Sequence, residues 1–146
     1  MIKVNSRVNL NMPLFQKLAQ VQAEALERTA EQLHQEVQQA QVVPRMTGNL
    51  QGEAMFVDCS ESFRGKVSIV HNTPYARRLY YHPEYDFHQE PWEDEWTDEN
   101  GKTHRTKYDG NPNAKGHWFE DWEEGGEQSD FAIETYAKIY KELAGL

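Results

Sequence analysis

The chain has 146 residues, a length that fits one domain, and no apolar run in it approaches the length of a membrane span. Its mean hydropathy of −0.89 marks a polar chain, yet 4 Trp, 7 Tyr and 6 Phe supply enough large apolar surface to build a core. The net charge of −9 is concentrated: residues 82–130 hold 15 acidic and 4 basic side chains, leaving the rest at +2, and so acidic a surface argues against a phosphate-backbone partner.

The N-terminal residues begin with alternation. Ile2, Val4, Val8 and Leu10 share one parity, and Lys3, Asn5, Arg7 and Asn9 the other, the period of a half-buried strand. This stretch lacks the segments of a signal peptide, so the protein is expected to stay in the compartment where it is made. Pro13 suits the first turn of a helix, and residues 14–40 read as one long helix rich in Gln, Glu and Ala. Its predicted apolar stripe is Phe15, Leu18, Ala19, Leu26, Ala30, Leu33 and Val37, interrupted at Gln22. Val42-Val43-Pro44 ends it, because the residue before proline avoids helical geometry.

Arg45-Met46-Thr47-Gly48-Asn49-Leu50 reads as a turn-rich connector. Strands follow at residues 53–59 and 65–71, joined as a hairpin by Ser60–Arg64. Thr73 as cap and Pro74 as first residue open a short helix, with Tyr75, Ala76, Leu79 and Tyr80 on its apolar side and Pro83 at its end.

Residues 84–113 change character and read as an inserted, protruding β-hairpin within a single domain spanning 1–146. Asn100-Gly101 is the signal of a tight two-residue loop, with an acidic arm at 95–99 facing a basic arm at 102–106. Residues 114–124 are expected to be helical, with Trp118, Phe119 and Trp122 on one side, until Gly125-Gly126. A last helix, capped by Ser129 or Asp130, buries Phe131, Tyr136, Ile139, Tyr140 and Leu143. The expected architecture is α+β: a small antiparallel sheet packed by the long N-terminal helix and the C-terminal helix, with the acidic hairpin projecting.

Chemistry-bearing patterns are sparse. His71, His82, His88, His104 and His117 lie among Glu84, Asp86, Glu90 and Asp94, a composition that suits a divalent metal and hence a metal-dependent hydrolase. Against this, no His-x-x-x-His or His-Glu-x-x-His spacing is present. Cys59 is the only cysteine and has no nucleophile signature around it. The carboxylates Glu93/Glu95 and Glu120/Glu123/Glu124 read as a solvated acidic face, and Gly125-Gly126 lacks the strand and lysine of a phosphate loop. No catalytic residue, metal or cofactor is expected. Aromatics interleaved with acids suit a protein interface or a small satellite core. Tyr85, Phe87, Trp92, Trp96 and Trp118 are the candidate interface residues.

Three stretches in order resemble one family. Pro44-Arg45-Met46-Thr47-Gly48-Asn49-Leu50 looks like a proline followed by Thr-Gly-x-Leu before a strand. Val70-His71-Asn72-Thr73-Pro74-Tyr75-Ala76 looks like a strand leading into Pro-Tyr-Ala, and Ala114-Lys115-Gly116-His117-Trp118-Phe119 resembles an Ala-x-x-x-Trp-Phe entry to a helical region. Together they are similar to the minor capsid and head–tail connector (tail-completion, neck) proteins of tailed bacteriophages. The resemblance makes Pro44, Thr47, Gly48, Leu50, Pro74, Tyr75 and Ala76 fold determinants. It implies a structural virion component of a phage or prophage that joins head and tail as a homo-oligomeric ring. Its implied partners are connector or adaptor and tail-tube subunits, with no specific nucleic-acid and no membrane partner, and its location is the virion after assembly in the host cytoplasm. An acidic regulator that binds a host protein as a DNA mimic is the alternative that the charge allows.

Overall fold

The computed structural model describes residues 1–44 and 55–146. Helix α1 spans Met12–Ala40. Pro13 does sit in its first turn, and the Asn11 side chain accepts a hydrogen bond from the Leu14 N–H at 3.2 Å. Gln41, in the left-handed region at φ 55°, closes the helix by returning its N–H to the Gln38 carbonyl. The buried ridge differs from the expected stripe. Val21, Ala25, Thr29 and Val37 lie buried at a four-residue spacing with half-buried Leu33 between the last two, whereas Phe15 and Ala19 remain exposed. The expected ridge began a turn too early, because the first turns of α1 extend past the elements that cover the rest.

The strands β1 (Met55–Asp58) and β2 (Ser68–His71) pair antiparallel, Met55 opposite His71 and Asp58 opposite Ser68. A 3-10 turn at Ser62–Arg64 and Gly65 at φ 82° join them. Cys59 lies just after β1, where burial, then the nearby Glu27, Asp58 and Glu31 carboxylates, push its thiol pKa up and so disfavour the reactive thiolate. Ser62 Oγ donates to Glu27 Oε1 at 2.6 Å, pinning the turn to α1.

A short helix, α2, runs Ala76–Tyr80. It starts later than expected: Tyr75 takes the capping position, and Thr73 Oγ1 is buried without a hydrogen-bond partner among the described residues. The second hairpin comprises β3 (Trp92–Thr97) and β4 (Thr103–Tyr108). The two hairpins form separate two-stranded sheets. Helix α3 (Phe131–Ala144) ends at Gly145, φ 74°, and packs against α1 through buried Ile139 and half-buried Phe131, Tyr136, Tyr140 and Leu143. The fold is thus α+β, with both helices and a small sheet around the core and the acidic hairpin standing apart.

Two expected elements do not form. Residues 1–11 have no secondary structure: their pattern is a strand's, but no described strand of the chain pairs with them. Residues 114–124 form turns with only a 3-10 segment at Glu120–Trp122. Gly116 is packed so closely on Pro83 that a Cβ would lie 2.7 Å from its Cα, and His117 takes φ 47°, both incompatible with a regular helix.

The core contains Val37, Val42, Val43, Met55, Ala76 and Trp118, with Leu33, Ile69, Tyr80, Phe119 and Trp122 packed around it. Pro44 is fully buried beside Val43. Residues distant in sequence are tied here by backbone bonds: Lys115 N–H to the Val42 carbonyl at 3.0 Å, and His117 N–H to the Tyr80 carbonyl at 2.9 Å.

Candidate protein-interaction site

The hairpin has two chemically distinct faces, set by the alternation of side chains along a strand. On one face Trp92 stacks between His88 and Tyr108, with ring centroids 4.1 and 4.3 Å away, and Trp96 stacks on His104 at 4.5 Å. On the other, Glu95 meets Arg105 at 3.1 Å and Glu93 meets Lys107 at 3.6 Å. The register Trp96↔His104, Glu95↔Arg105, Glu93↔Lys107 produces both faces at once. These ion pairs are exposed and contribute little to stability individually; they instead fix the sign of charge along each strand.

The loop at the tip is longer than a two-residue turn. Only Gly101 lies at positive φ, 78°, so Asn100 does not supply the second left-handed residue that the tightest loop requires. Asp98 organises the loop: its Oδ1 accepts from Asn100 N–H and Lys102 N–H, each at 2.9 Å, and its Oδ2 lies 2.9 Å from His104 Nε2. The His104 side chain above all, then the Lys102 and Asn100 amides, hold the Asp98 carboxyl below its ordinary 3.8 against the opposing effect of burial. The fold lowers this pKa, so the loop's stabilisation is complete above 3.8 and is lost as pH falls below it through the folded value. In an NMR acid titration the Asn100 and Lys102 amides are therefore expected to move together, with a midpoint below 3.8. Asp98→Ala should abolish that step; a midpoint at or above 3.8 would contradict the assignment.

The remaining candidate residues separate by exposure. Trp96 is 50% exposed and Trp92 and Tyr85 are half-buried, so these three present aromatic surface. Tyr85 stacks on His82 at 4.7 Å and its hydroxyl accepts from Arg78 Nε at 3.3 Å. Phe87 is buried near the hairpin's base and Trp118 has no exposed surface at all. Both are therefore corrected from interface to core residues. Their neighbourhood in sequence is acidic and polar, which concealed that the chain folds them inward. Thr47, Gly48 and Leu50 of the first motif lie outside the described residues. Pro44 is buried, as is Ala76, whereas Pro74 and Tyr75 are exposed at the entry to α2.

Trp118 sits where the motifs meet. Its Nε1 donates to His71 Nε2 at 3.1 Å, and its ring lies edge-on to His71 and Tyr80. Beside it a cavity of about 290 Å³ opens between His71, Thr73, Arg77, Tyr80, Tyr81 and Phe119. Burial, and then the charge of Glu123 that accepts its hydroxyl at 3.3 Å, push the Tyr80 pKa up to about 12, so this wall is neutral at physiological pH. The His-rich composition does not converge: His82 pairs with Glu84, His88 with Asp86 and His104 with Asp98. Among the described residues no three His, Cys, Asp or Glu side chains come together as a metal-ligand set. Nor, among them, is any helix long and apolar enough to cross a membrane.

No protein-family model, curated protein or solved structure matches the chain.

Proposed function

We propose that the protein is a structural subunit of a tailed phage or prophage, a neck, tail-completion or minor capsid component that joins head and tail through a homo-oligomeric ring, with no catalytic role. The observation that carries the reading is that the described parts of the three phage-like motifs, of the first only its opening Pro44 with the preceding Val43, lie in one core. Val43-Pro44 from the first, Ala76 and His71 from the second and Trp118-Phe119 from the third are buried or half-buried together, with Trp118 bonded to His71. Segments more than 70 residues apart in sequence that pack as one unit are what a shared fold would require of those motifs. The hairpin then supplies the contact surface: exposed tryptophan on one face, paired charges on the other.

Trp96→Ala is expected to block head–tail joining. Its ring is half exposed and, among the described residues, stacks on His104 alone, outside the core cluster, so its loss leaves that core untouched. A central interface tryptophan contributes about 2 kcal/mol or more at each contact, which the repeated contacts of a ring multiply. Counting joined particles by electron microscopy, alongside circular dichroism of the purified variant, checks this. Normal joining by a folded variant would remove the hairpin from the interface. Absence of the chain from purified virions would overturn the virion reading itself.

A further inference from the structure

The first eleven residues carry a strand pattern that the fold leaves unused. Ile2, Val4 and Val8 are 92, 85 and 81% exposed, and Leu10 is also exposed. Lys3 and Arg7 occupy the opposite parity, and no acidic residue occurs before Met12. An alternating apolar and basic segment gains nothing from lying in water; its pattern is complementary to a sheet edge with one apolar and one acidic face.

Strand β3 presents such an edge. It pairs only with β4, so among the described residues its other side offers unpaired backbone groups. Its even positions are Trp92, Asp94 and Trp96, two tryptophans flanking one carboxylate as Val4 and Val8 flank Ser6 in the arm, and its odd positions include Glu93 and Glu95 on the charged face. The two parities match: a strand that lays Ile2, Val4, Val8 and Leu10 along the tryptophan face necessarily turns Lys3 and Arg7 to the face of Glu93 and Glu95. The edge of β4 is excluded by charge, since it would set Arg105 and Lys107 against Lys3 and Arg7. The arm does not cover the hairpin of its own chain, whose Trp96 and arm side chains both stay exposed.

We propose that residues 2–10 of one copy add to the free edge of β3 of a second copy as a third strand. Each copy then both gives an arm and receives one, a head-to-tail contact that generates a ring when the rotation closes. Nine extended residues span about 30 Å, enough to run the full length of the six-residue β3, and Asn11 then leads directly into α1 of the donor copy. The contact extends the subunit-contact part of the proposed function without resting on the virion assignment, and free chains test it.

Isotope-labelled and unlabelled full-length chains are mixed and treated with a zero-length carbodiimide crosslinker. Mass spectrometry is expected to find Lys3 joined to Glu93 or Glu95 in peptides with one labelled and one unlabelled end. Val4→Asp/Val8→Asp should abolish those links and weaken self-association in sedimentation roughly tenfold or more, about 1.4 kcal/mol or more. Both positions are exposed in the single chain, so the variant keeps its fold. Links confined to one chain, no links at all, or unchanged association of the variant would each overturn the proposal. None of these outcomes involves a virion, so absence of the chain from virions would overturn the virion reading and leave the arm contact standing.

Discussion

Trp118→Ala is expected to destabilise the protein by about 3–5 kcal/mol, the usual range for truncating a buried aromatic side chain. Total stabilities of single domains are about 5–15 kcal/mol, so the variant should unfold at much lower urea concentration and lose most of its margin at 37 °C. Three effects add. The indole has no exposed surface and touches the core that Val37, Val43, Met55 and Ala76 share, so its removal forfeits packing from both α1 and the sheet. The void would open beside the existing cavity of about 290 Å³ and enlarge it. His71 Nε2 would lose its donor at 3.1 Å. Trp118→Phe separates these effects: it keeps most of the volume and removes only the N–H that His71 Nε2 accepts, so it should cost less than the alanine variant. Urea unfolding midpoints of both variants check the order. A loss below about 1 kcal/mol for the alanine variant, against the range for such truncations, would mean that the three motifs are not joined through this ring.

The sequence disclosed elements whose stability is local and hid those decided by partners. Helix α1 was legible because Pro13, a run of good helix formers and Pro44 all act within a few residues of where they stand. The face it buries was not, since α1 packs against α3 and the Ser62–Arg64 turn, elements distant in sequence. The hairpin was legible from Asn100-Gly101, but its register was displaced by one residue. A two-residue loop would place Thr97 opposite His104; Asp98 and Gly101 instead build a longer loop that sets Thr97 opposite Thr103. Because strand side chains alternate, that one residue decides that Trp96 meets His104 and Glu95 meets Arg105. The arm at 1–11 and the segment at 114–124 failed for opposite reasons. The first has a strand's pattern but pairs with no described strand of its own chain. The second has a helix's spacing of aromatics but bends at Gly116 and His117 to fit against Pro83 and Tyr80. Of the candidate site, Trp92 and Trp96 were legible as aromatics in an acidic stretch. The role of Asp98 in shaping the tip became visible only once His104 and two amides were seen to converge on it.

Gly110→Ala should alter how the hairpin is held while leaving the core intact. A Cβ at Gly110 would lie 2.3 Å from the Gln89 carbonyl oxygen and 2.4 Å from the Glu90 carbonyl carbon. Both are backbone atoms, so no side chain can rotate away and the two strands entering and leaving the hairpin must separate. Overpacking of this kind costs about 1–3 kcal/mol, occasionally more. The strain falls on the hairpin's base, where Asn111 N–H donates to the His88 carbonyl at 3.0 Å and Asn111 Nδ2 donates to the Gln41 carbonyl at 2.7 Å. Those bonds link the hairpin to the end of α1, so widening the base should loosen the hairpin from the body. Hydrogen exchange distinguishes this from general unfolding. Amides of β3, β4 and Asn111 are expected to lose protection, whereas those of α1 and α3 keep theirs. If protection falls equally throughout, the hairpin and core unfold as one cooperative unit and the close approach at Gly110 supports the whole fold. If the loss is confined to the hairpin, Gly110 is the hinge-point that sets where the tryptophan face is presented. Under the proposed role, Trp96→Ala and Gly110→Ala should then impair head–tail joining by different routes, the first removing the contact and the second misplacing it.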